Sequence, residues 1–180
     1  MRSNSIDLSA GIVAYETDPG ELETALSALT ATPLRTEVYV FDNSANDRLR
    51  RTAESCGARY IFSGRNLGFG AGHNRIFARV EGRSKLHLIL NPDIVVSPAG
   101  VSELAAFIAL NPTVGCVMPR VTHPDGSEQY LCKRLATPLD LVLRRAFRTR
   151  LSNTARMRRY ECRDLDLSSP ASVPCLSGCF

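Results

Sequence analysis

The sequence predicts an α/β protein with a mostly parallel sheet flanked by helices, incomplete at its carboxyl end. Short apolar runs alternate along the chain with segments of helical periodicity, which is the pattern of βαβ units. Polar residues follow directly on the predicted strands, and the last apolar run is still open where the 180-residue sequence stops. With 44% hydrophobic and 22% charged residues, the chain is expected to form one soluble domain over 1–180.

The first strand and helix have the clearest signals. The apolar run AGIVAYE predicts a short buried strand at 10–16, and a helix is predicted over 18–32. Asp18 is suited to cap that helix, and Pro19 suits its first position, where no backbone N–H is needed. The apolar residues that recur at helical spacing predict its buried face: Leu22, Ala25, Leu26 and Leu29.

The middle of the chain repeats this alternation. EVYVFDNS (37–44) and ARYIFS (58–63) predict the second and third strands. The helix between them is predicted over 46–57 and ends at Gly57. A glycine-rich loop, GRNLGFGAGHN (64–74), then leads into the next helix.

The second half continues with a fourth strand, KLHLILN (85–91), a helix over 98–112 and a fifth strand, VGCVMPRV (114–121). The pair Asp125-Gly126 predicts a turn that suits a hairpin. Two elements are predicted after it: a helix at 137–147 and the start of another strand at 172–180.

Polar residues at the strand ends indicate where a ligand binds. Four of the predicted strands end in such residues or lead directly into them: Tyr15-Glu16, Asp42-Asn43-Ser44, the loop 64–74 and Asn91-Pro92-Asp93. Any one of these could be ordinary turn chemistry at a strand terminus. Open parallel sheets bind ligands beyond the carboxyl ends of their strands, so four such ends together favour a ligand site.

The residues available at these ends favour a sugar nucleotide over other ligands. A dinucleotide fold needs G-x-G-x-x-G after the first strand, and a methyl-donor fold also needs glycines there; ETDPGELE has one glycine and several carboxylates. Tyr15 offers a ring for a base, and Asp42 can accept a hydrogen bond from a pyrimidine N–H. Pro92 would present Asp93 to Mg²⁺ or Mn²⁺ on a diphosphate; the alternative for Asp93 is a plain turn residue.

Four segments of the chain together resemble the inverting glycosyltransferases of family 2, which have the GT-A fold: VFDNSAND (40–47), GRNLGFGAGHNRIF (64–77), LILNPDIVV (88–96) and SGCF (177–180). The segments NLGFGAGHN and NPD are most similar to the rhamnosyltransferase-like subgroup, which builds lipopolysaccharide O-antigen and related cell-surface polysaccharides. The resemblance covers the chain from Gly11 to Phe180.

The resemblance implies roles for the polar residues at the strand ends. Asp93 corresponds to the last position of the family's metal-binding D-x-D, in which Asn91 here replaces the first Asp. The implied nucleotide-sugar site consists of Ala14, Tyr15, Glu16, Asp42, Asn43, Ser44, Asn66, Gly68, Gly72, Asn74, Asn91 and Asp93. The glycines would let the backbone approach the donor, although they could also be a mere helix-entry loop. His73, which lies among them, is more often a structural residue.

The resemblance also implies a donor, an acceptor and a general base. The donor would be a dTDP- or UDP-linked sugar, rhamnose being the one the subgroup suggests, and the acceptor a glycan or a lipid-linked glycan. The family's general base lies beyond SGCF, so the sequence is expected to be the donor-binding part of a transferase, truncated before that carboxylate and poorly active. The alternative is an inactive remnant or a binding module.

Charge and cysteine content bear on the partners. Seven arginines lie between 144 and 159 (Arg144, Arg145, Arg148, Arg150, Arg156, Arg158 and Arg159). They predict a solvated face or peripheral contact with the inner membrane. A nucleic-acid site is disfavoured, because aromatic residues do not alternate with these arginines as a stacking platform would require. The six cysteines form no C-x-x-C pair, and we expect a cytoplasmic protein with free thiols.

Overall fold

The computed structural model describes residues 6–137, 154–166 and 168–176 of the chain. These residues form two compact units, one up to Cys116 and the other from Val117 onward. The predicted residues of the nucleotide-sugar site all belong to the first unit. That residues 1–180 act as one domain stays a prediction.

The first unit has the predicted α/β architecture, a parallel sheet flanked by helices. Its strands are β1 (Leu8–Ala14), β2 (Thr36–Asp42), β3 (Arg59–Phe62) and β4 (Leu86–Leu90). Its helices are α1 (Pro19–Thr30), α2 (Arg50–Ser55), α3 (Phe69–Val80) and α4 (Pro98–Leu110).

The four strands are parallel, in the order β3-β2-β1-β4. Ala14 at the end of β1 pairs with Asp42 at the end of β2. Ile12 pairs with Leu90, the last residue of β4. The segments that leave β1, β2 and β4 therefore start at one edge of the sheet, which we call the carboxyl edge.

The helix starts follow the capping chemistry of the sequence. A carboxylate oxygen of Asp18 accepts a hydrogen bond from the N–H of Gly20 (2.8 Å), and Pro19 is the first residue of α1. Ser97 caps α4 in the same way, with Pro98 behind it. The predicted face of α1 is confirmed, since all four of its apolar residues are buried: Leu22, Ala25, Leu26 and Leu29.

Both faces of the sheet are covered, as a parallel sheet requires. Alternate apolar residues of β1, β2 and β3 belong to different clusters, as they point to opposite faces. One cluster unites Ile12 and Val40 with apolar residues of α1 and α4. The other unites Val13 and Phe41 with Ile76 of α3. Helix α3 thus lies alone, among the described helices of this unit, against the second face of the sheet.

A polar network occupies the opposite, amino end of β2. The carboxylate of Glu37 accepts two hydrogen bonds from Arg83 (2.8 and 2.9 Å) and one from the hydroxyl of Tyr39 (3.0 Å), and pairs with Arg59 at 2.6 Å. Burial favours the neutral acid, but the hydrogen bonds and the two arginine charges outweigh it. The pKa of Glu37 therefore lies below its ordinary value of 4.5.

Three predicted elements differ from the structure. The glycine-rich loop predicted over 64–74 is shorter, because α3 begins at Phe69 and includes residues 69–74. The predicted fifth strand at 114–121 is wrong: only Val121–Thr122 is a strand there, β5, and it pairs antiparallel with β6 (Glu128–Gln129). Pro119 has no N–H to donate to a ladder, so the apolar run could not continue as a central strand. The helix predicted over 46–57 is also shorter, because residues 46–49 form bends and turns before α2.

The second unit holds the predicted hairpin. The N–H of His123 donates to the carbonyl of Ser127 (2.7 Å), and Gly126 adopts φ +83° in the turn. Helix α5 (Ala155–Tyr160) is capped by the hydroxyl of Thr154. The helix predicted at 137–147 lies outside the described residues apart from Thr137, and the predicted last strand is described only to residue 176. No helix in the described ranges is long and apolar enough to cross a membrane.

Candidate functional site

The polar residues predicted for a ligand site lie at the carboxyl edge, but they differ sharply in exposure. Tyr15 leaves 52% of its surface exposed, and Glu16, Asn66, Asn74 and Asp93 are exposed too. Four others have almost no exposed surface: Ala14, Asp42, Asn43 and Ser44. The exposed residues can contact a ligand directly. The buried residues instead stabilise the loops to which the exposed residues belong.

Asp42, at the end of β2, is a buried hub. One carboxylate oxygen accepts from the N–H of Ser44 (2.8 Å), and the other accepts from the hydroxyl of Tyr60 (2.6 Å). Burial and the hydrogen bond to Asp42 raise the pKa of Tyr60, so its hydroxyl keeps the proton that it donates. Contact between Asp42 and a nucleotide base stays a prediction, one that requires its carboxylate to become accessible.

The buried side chain of Asn43 fixes the backbone of the glycine-rich loop through hydrogen bonds. Its amide oxygen accepts from the N–H of Leu67 (3.1 Å), and its amide nitrogen donates to the carbonyl of Gly68 (3.3 Å). The side chain of Asn66 adds a local turn by accepting from the N–H of Gly68 (2.8 Å). The loop before α3 is therefore held in one shape by two amide side chains. That Asn43 and Asn66 bind a nucleotide sugar stays a prediction.

Gly68 and Gly72 are each required to be glycine for a different physical reason. Gly68 adopts φ +87°, a conformation that L-residues rarely take, at the residue before α3. Gly72 lies inside α3, where an added Cβ would be 2.8 Å from both methyl groups of Val13 and 3.1 Å from Phe41. Gly72 thus lets α3 approach the sheet closely, a role that needs no ligand.

We expect Gly72→Ala to lower the free energy of unfolding by up to about 2 kcal/mol, because a clash of about 1–3 kcal/mol outweighs a gain in helix propensity of about 1 kcal/mol. Gly70 provides the matched control: it lies in the same helix, and an added Cβ there meets nothing within 4 Å. Gly70→Ala should instead stabilise by up to about 1 kcal/mol. Urea unfolding of both variants checks this, and equal shifts would refute the packing role.

The segment after β1 is tied to the segment after β2. The N–H of Glu16 donates to the hydroxyl of Ser44 (2.9 Å), and the guanidinium of Arg48 donates to the carbonyls of Glu16 and Thr17 (3.1 Å each). Sequence reasoning did not select Arg48 or Tyr60. Their partners lie 18 or more positions away, and neither residue belongs to a motif that would reveal them.

Asp93 lies in the turn that follows β4. It is exposed, and its carboxylate makes no hydrogen bond or ion pair with any residue that the structure describes. Asn91 in the same turn is half-buried, and its carbonyl accepts from the N–H of Ile94 (3.3 Å). Within the described ranges no three His, Cys, Asp or Glu side chains cluster as a metal site.

This donor set fits a hard cation that prefers oxygen ligands, such as Mg²⁺ or Mn²⁺, better than it fits zinc. Mg²⁺ takes one or two protein carboxylates and keeps water and substrate phosphate oxygens as its other ligands. The carboxylate of Asp93, exposed and without a partner among the described residues, meets that requirement, whereas zinc needs three or four protein ligands.

His73 is a core residue of α3. It is 3% exposed, and its ring lies 4.4 Å from that of Phe69. Neither ring nitrogen has a hydrogen-bond partner among the described residues. Burial lowers the pKa of His73, so its ring is neutral near pH 7. The expectation that this histidine is structural agrees with its surroundings.

The comparisons with known proteins concern the family and the fold of the chain. The sequence matches the family described as Glycosyl transferase family 2 over residues 9–172. No curated protein matches it.

Two solved structures are similar in fold. One is the mannosyltransferase PcManGT from Pyrobaculum calidifontis in complex with GDP-Man and Mn²⁺, at 15% identity and TM-score 0.57, covering 68% of this chain and 37% of that one. The other is S. aureus TarS 1-349, at 16% identity and TM-score 0.51, covering 73% and 42%. The chain thus spans less than half the length of either structure, and the likeness shows the fold alone.

Proposed function

Since the chain belongs to glycosyl transferase family 2 and has its GT-A, Rossmann-like fold, we propose that its carboxyl edge binds a nucleoside-diphosphate sugar, which is transferred with inversion to an acceptor hydroxyl. The observation that supports this most directly is the parallel register of the four strands β1–β4. At one edge of the sheet, where such folds bind ligands, the segments after these strands carry an exposed ring, exposed amides and a carboxylate that has no partner among the described residues.

Tyr15 is the residue we assign to the nucleoside base. Its ring is half exposed at the start of the segment after β1, and every base has a face on which an aromatic ring can stack. Glu16 and Asn66 are exposed at the same edge and offer hydrogen bonds to the base or the ribose. Asn74, in the first turns of α3, is exposed and can bond the sugar or phosphate oxygens.

Asp93 is the residue we assign to a divalent cation, Mg²⁺ or Mn²⁺, with Asn91 beside it. When bound, the cation supplies Lewis-acid stabilisation of the leaving diphosphate. The protein contributes an oxygen ligand on a turn fixed by Pro92. The Mn²⁺ in the complex of the Pyrobaculum mannosyltransferase is in keeping with this assignment.

The finer assignments follow the resemblance seen in the sequence. We propose a dTDP- or UDP-linked donor, with rhamnose as the sugar, and a glycan or lipid-linked acceptor of cell-surface polysaccharide synthesis. Contact with the inner membrane would involve the arginines of 144–159, of which the structure describes only those in α5, Arg156, Arg158 and Arg159. The general base is not assigned to any described carboxylate.

Nucleotide binding tests the proposal. UDP, dTDP and GDP are titrated into the full chain by calorimetry with Mg²⁺, with Mn²⁺ and with EDTA. We expect one of the three to bind with metal, and Tyr15→Ala to weaken that binding roughly tenfold through lost stacking. Tyr15→Phe keeps the ring and should bind within about twofold of wild type. If no nucleotide binds with either metal, the proposed site is wrong.

A further inference from the structure

The segment that carries Tyr15 has a strained backbone. Glu16 adopts φ +50°, in the left-handed region that non-glycine residues rarely occupy. Such a conformation costs free energy and persists only where neighbouring groups hold it, and it is frequent at ligand sites. The backbone conformation of Glu16 therefore implies neighbouring groups that hold it and a role at a ligand site.

Two side chains of the segment after β2 hold it. The hydroxyl of Ser44 accepts from the N–H of Glu16 at 2.9 Å, and Ser44 is itself fixed by its own N–H to Asp42. Arg48 donates to the carbonyls of Glu16 and Thr17, both at 3.1 Å. The hydroxyl of Ser44 orients the peptide N–H of Glu16. The guanidinium of Arg48 orients two successive carbonyls, those of Glu16 and Thr17.

The neighbouring arginines do not share this task. Arg50 pairs with Asp47 and Glu54, and its guanidinium lies over the ring of Tyr60. The exposed side chain of Arg51 makes no hydrogen bond or ion pair with any described residue. Of these three arginines, Arg48 alone donates to backbone carbonyls of the β1–α1 segment.

We propose that Arg48 is a positioning residue for the donor: it holds the carbonyls of Glu16 and Thr17 so that Tyr15 is presented, already ordered, to the nucleoside base. The inference rests on the proposed function, since it takes the ligand to be a nucleotide. A segment ordered before binding loses less conformational entropy when the ligand arrives, and this raises affinity without a new contact.

The first test compares Arg48→Gln with Arg51→Gln in the full chain, titrated with UDP, dTDP and GDP in the presence of Mg²⁺. Both changes remove one positive charge from the same segment. We expect Arg48→Gln to weaken binding about five- to tenfold, as for the loss of hydrogen bonds from a charged donor, and Arg51→Gln to leave it unchanged. Equal affinities of the two variants would overturn the proposal.

A double-mutant cycle with Tyr15→Ala separates positioning from direct contact. If Arg48 acts through Tyr15, Arg48→Gln has little further effect once the ring is absent. If it weakens binding equally in both backgrounds, Arg48 contacts the nucleotide itself and the positioning role is refuted.

Hydrogen exchange of the ligand-free protein tests the anchoring without any nucleotide. Arg48→Gln should speed exchange of the Glu16 amide, and Arg51→Gln should not. Unchanged exchange contradicts the anchoring, and faster exchange with unaltered affinity contradicts its use for the donor. If the wild-type chain binds no nucleotide, the proposed function fails, while the exchange result still decides whether Arg48 orders the segment.

Discussion

Replacing Asp93 by Asn is expected to abolish the gain in nucleotide affinity that Mg²⁺ or Mn²⁺ provides to the wild-type chain. The side chain keeps its size but loses the negative charge of a hard oxygen ligand, and Asn91 in the same turn supplies no charge to replace it. Even changes outside the direct ligands of a metal cost about 10–100-fold in affinity, so loss of the one carboxylate ligand should cost at least about tenfold.

The measurement is a set of nucleotide titrations with metal and with EDTA. Glu103→Gln is the matched control, because Glu103 is an exposed residue of α4 and its side chain has no hydrogen bond or ion pair with the described residues. It should retain the full metal effect. Wild type and Asp93→Asn should bind alike in EDTA. If metal still raises the nucleotide affinity of Asp93→Asn as much as that of wild type, Asp93 is not a ligand of the cation.

The sheet could be predicted from sequence because its signals are local. An apolar run between turn residues marks each of β1–β4, and Asp18-Pro19 marks the start of α1 where the structure has it. The run at 114–121 is also largely apolar, but strand formation there depends on a pairing partner and on the backbone N–H that Pro119 lacks. Pairing is a tertiary property, and a short apolar run does not reveal it.

The sequence alone predicted that the candidate residues share one edge of the sheet. It did not predict which of their side chains are buried and which are exposed. The residues at the strand ends meet at one edge because parallel strands place their carboxyl ends together. Sequence reasoning could not tell that Asp42 faces Tyr60 and Ser44 inside the protein, whereas Tyr15 and Asp93 face outward. All of these residues are compatible with ligand binding by type, and burial is what separates them.

His87 is expected to make the free energy of unfolding strongly dependent on pH, which the sequence alone does not reveal. It lies on β4, where a ring nitrogen is 2.8 Å from the hydroxyl of Ser9 and its ring lies 4.8 Å from that of Phe77. The other ring nitrogen is buried without a hydrogen-bond partner among the described residues. Burial, and secondarily the nearby His73, lowers the pKa of His87 from 6.5 to about 4.

The direction of the pH effect follows from that lowered pKa. A folded-state pKa below the unfolded one means that the unfolded chain binds a proton first, so the stabilising effect is complete above pH 6.5 and is lost as the pH falls toward 4. One such histidine changes the free energy of unfolding by about 2 kcal/mol between pH 6.5 and 4.5. Glu37, whose pKa is lowered from 4.5, loses its own contribution only below that window.

Urea unfolding of the full chain at pH 7.5, 6.5, 5.5 and 4.5 measures this effect. We expect wild-type stability to fall steadily below pH 6.5 and His87→Gln to show a shallower fall, with the remaining slope carried in part by buried His73. His123→Gln, in the exposed turn of the hairpin, should keep the wild-type slope. The charged residues that line the same hollow as His87 are Lys85 and Glu81. Identical slopes for wild type and His87→Gln would mean that His87 is protonated in the folded protein as readily as in the unfolded chain.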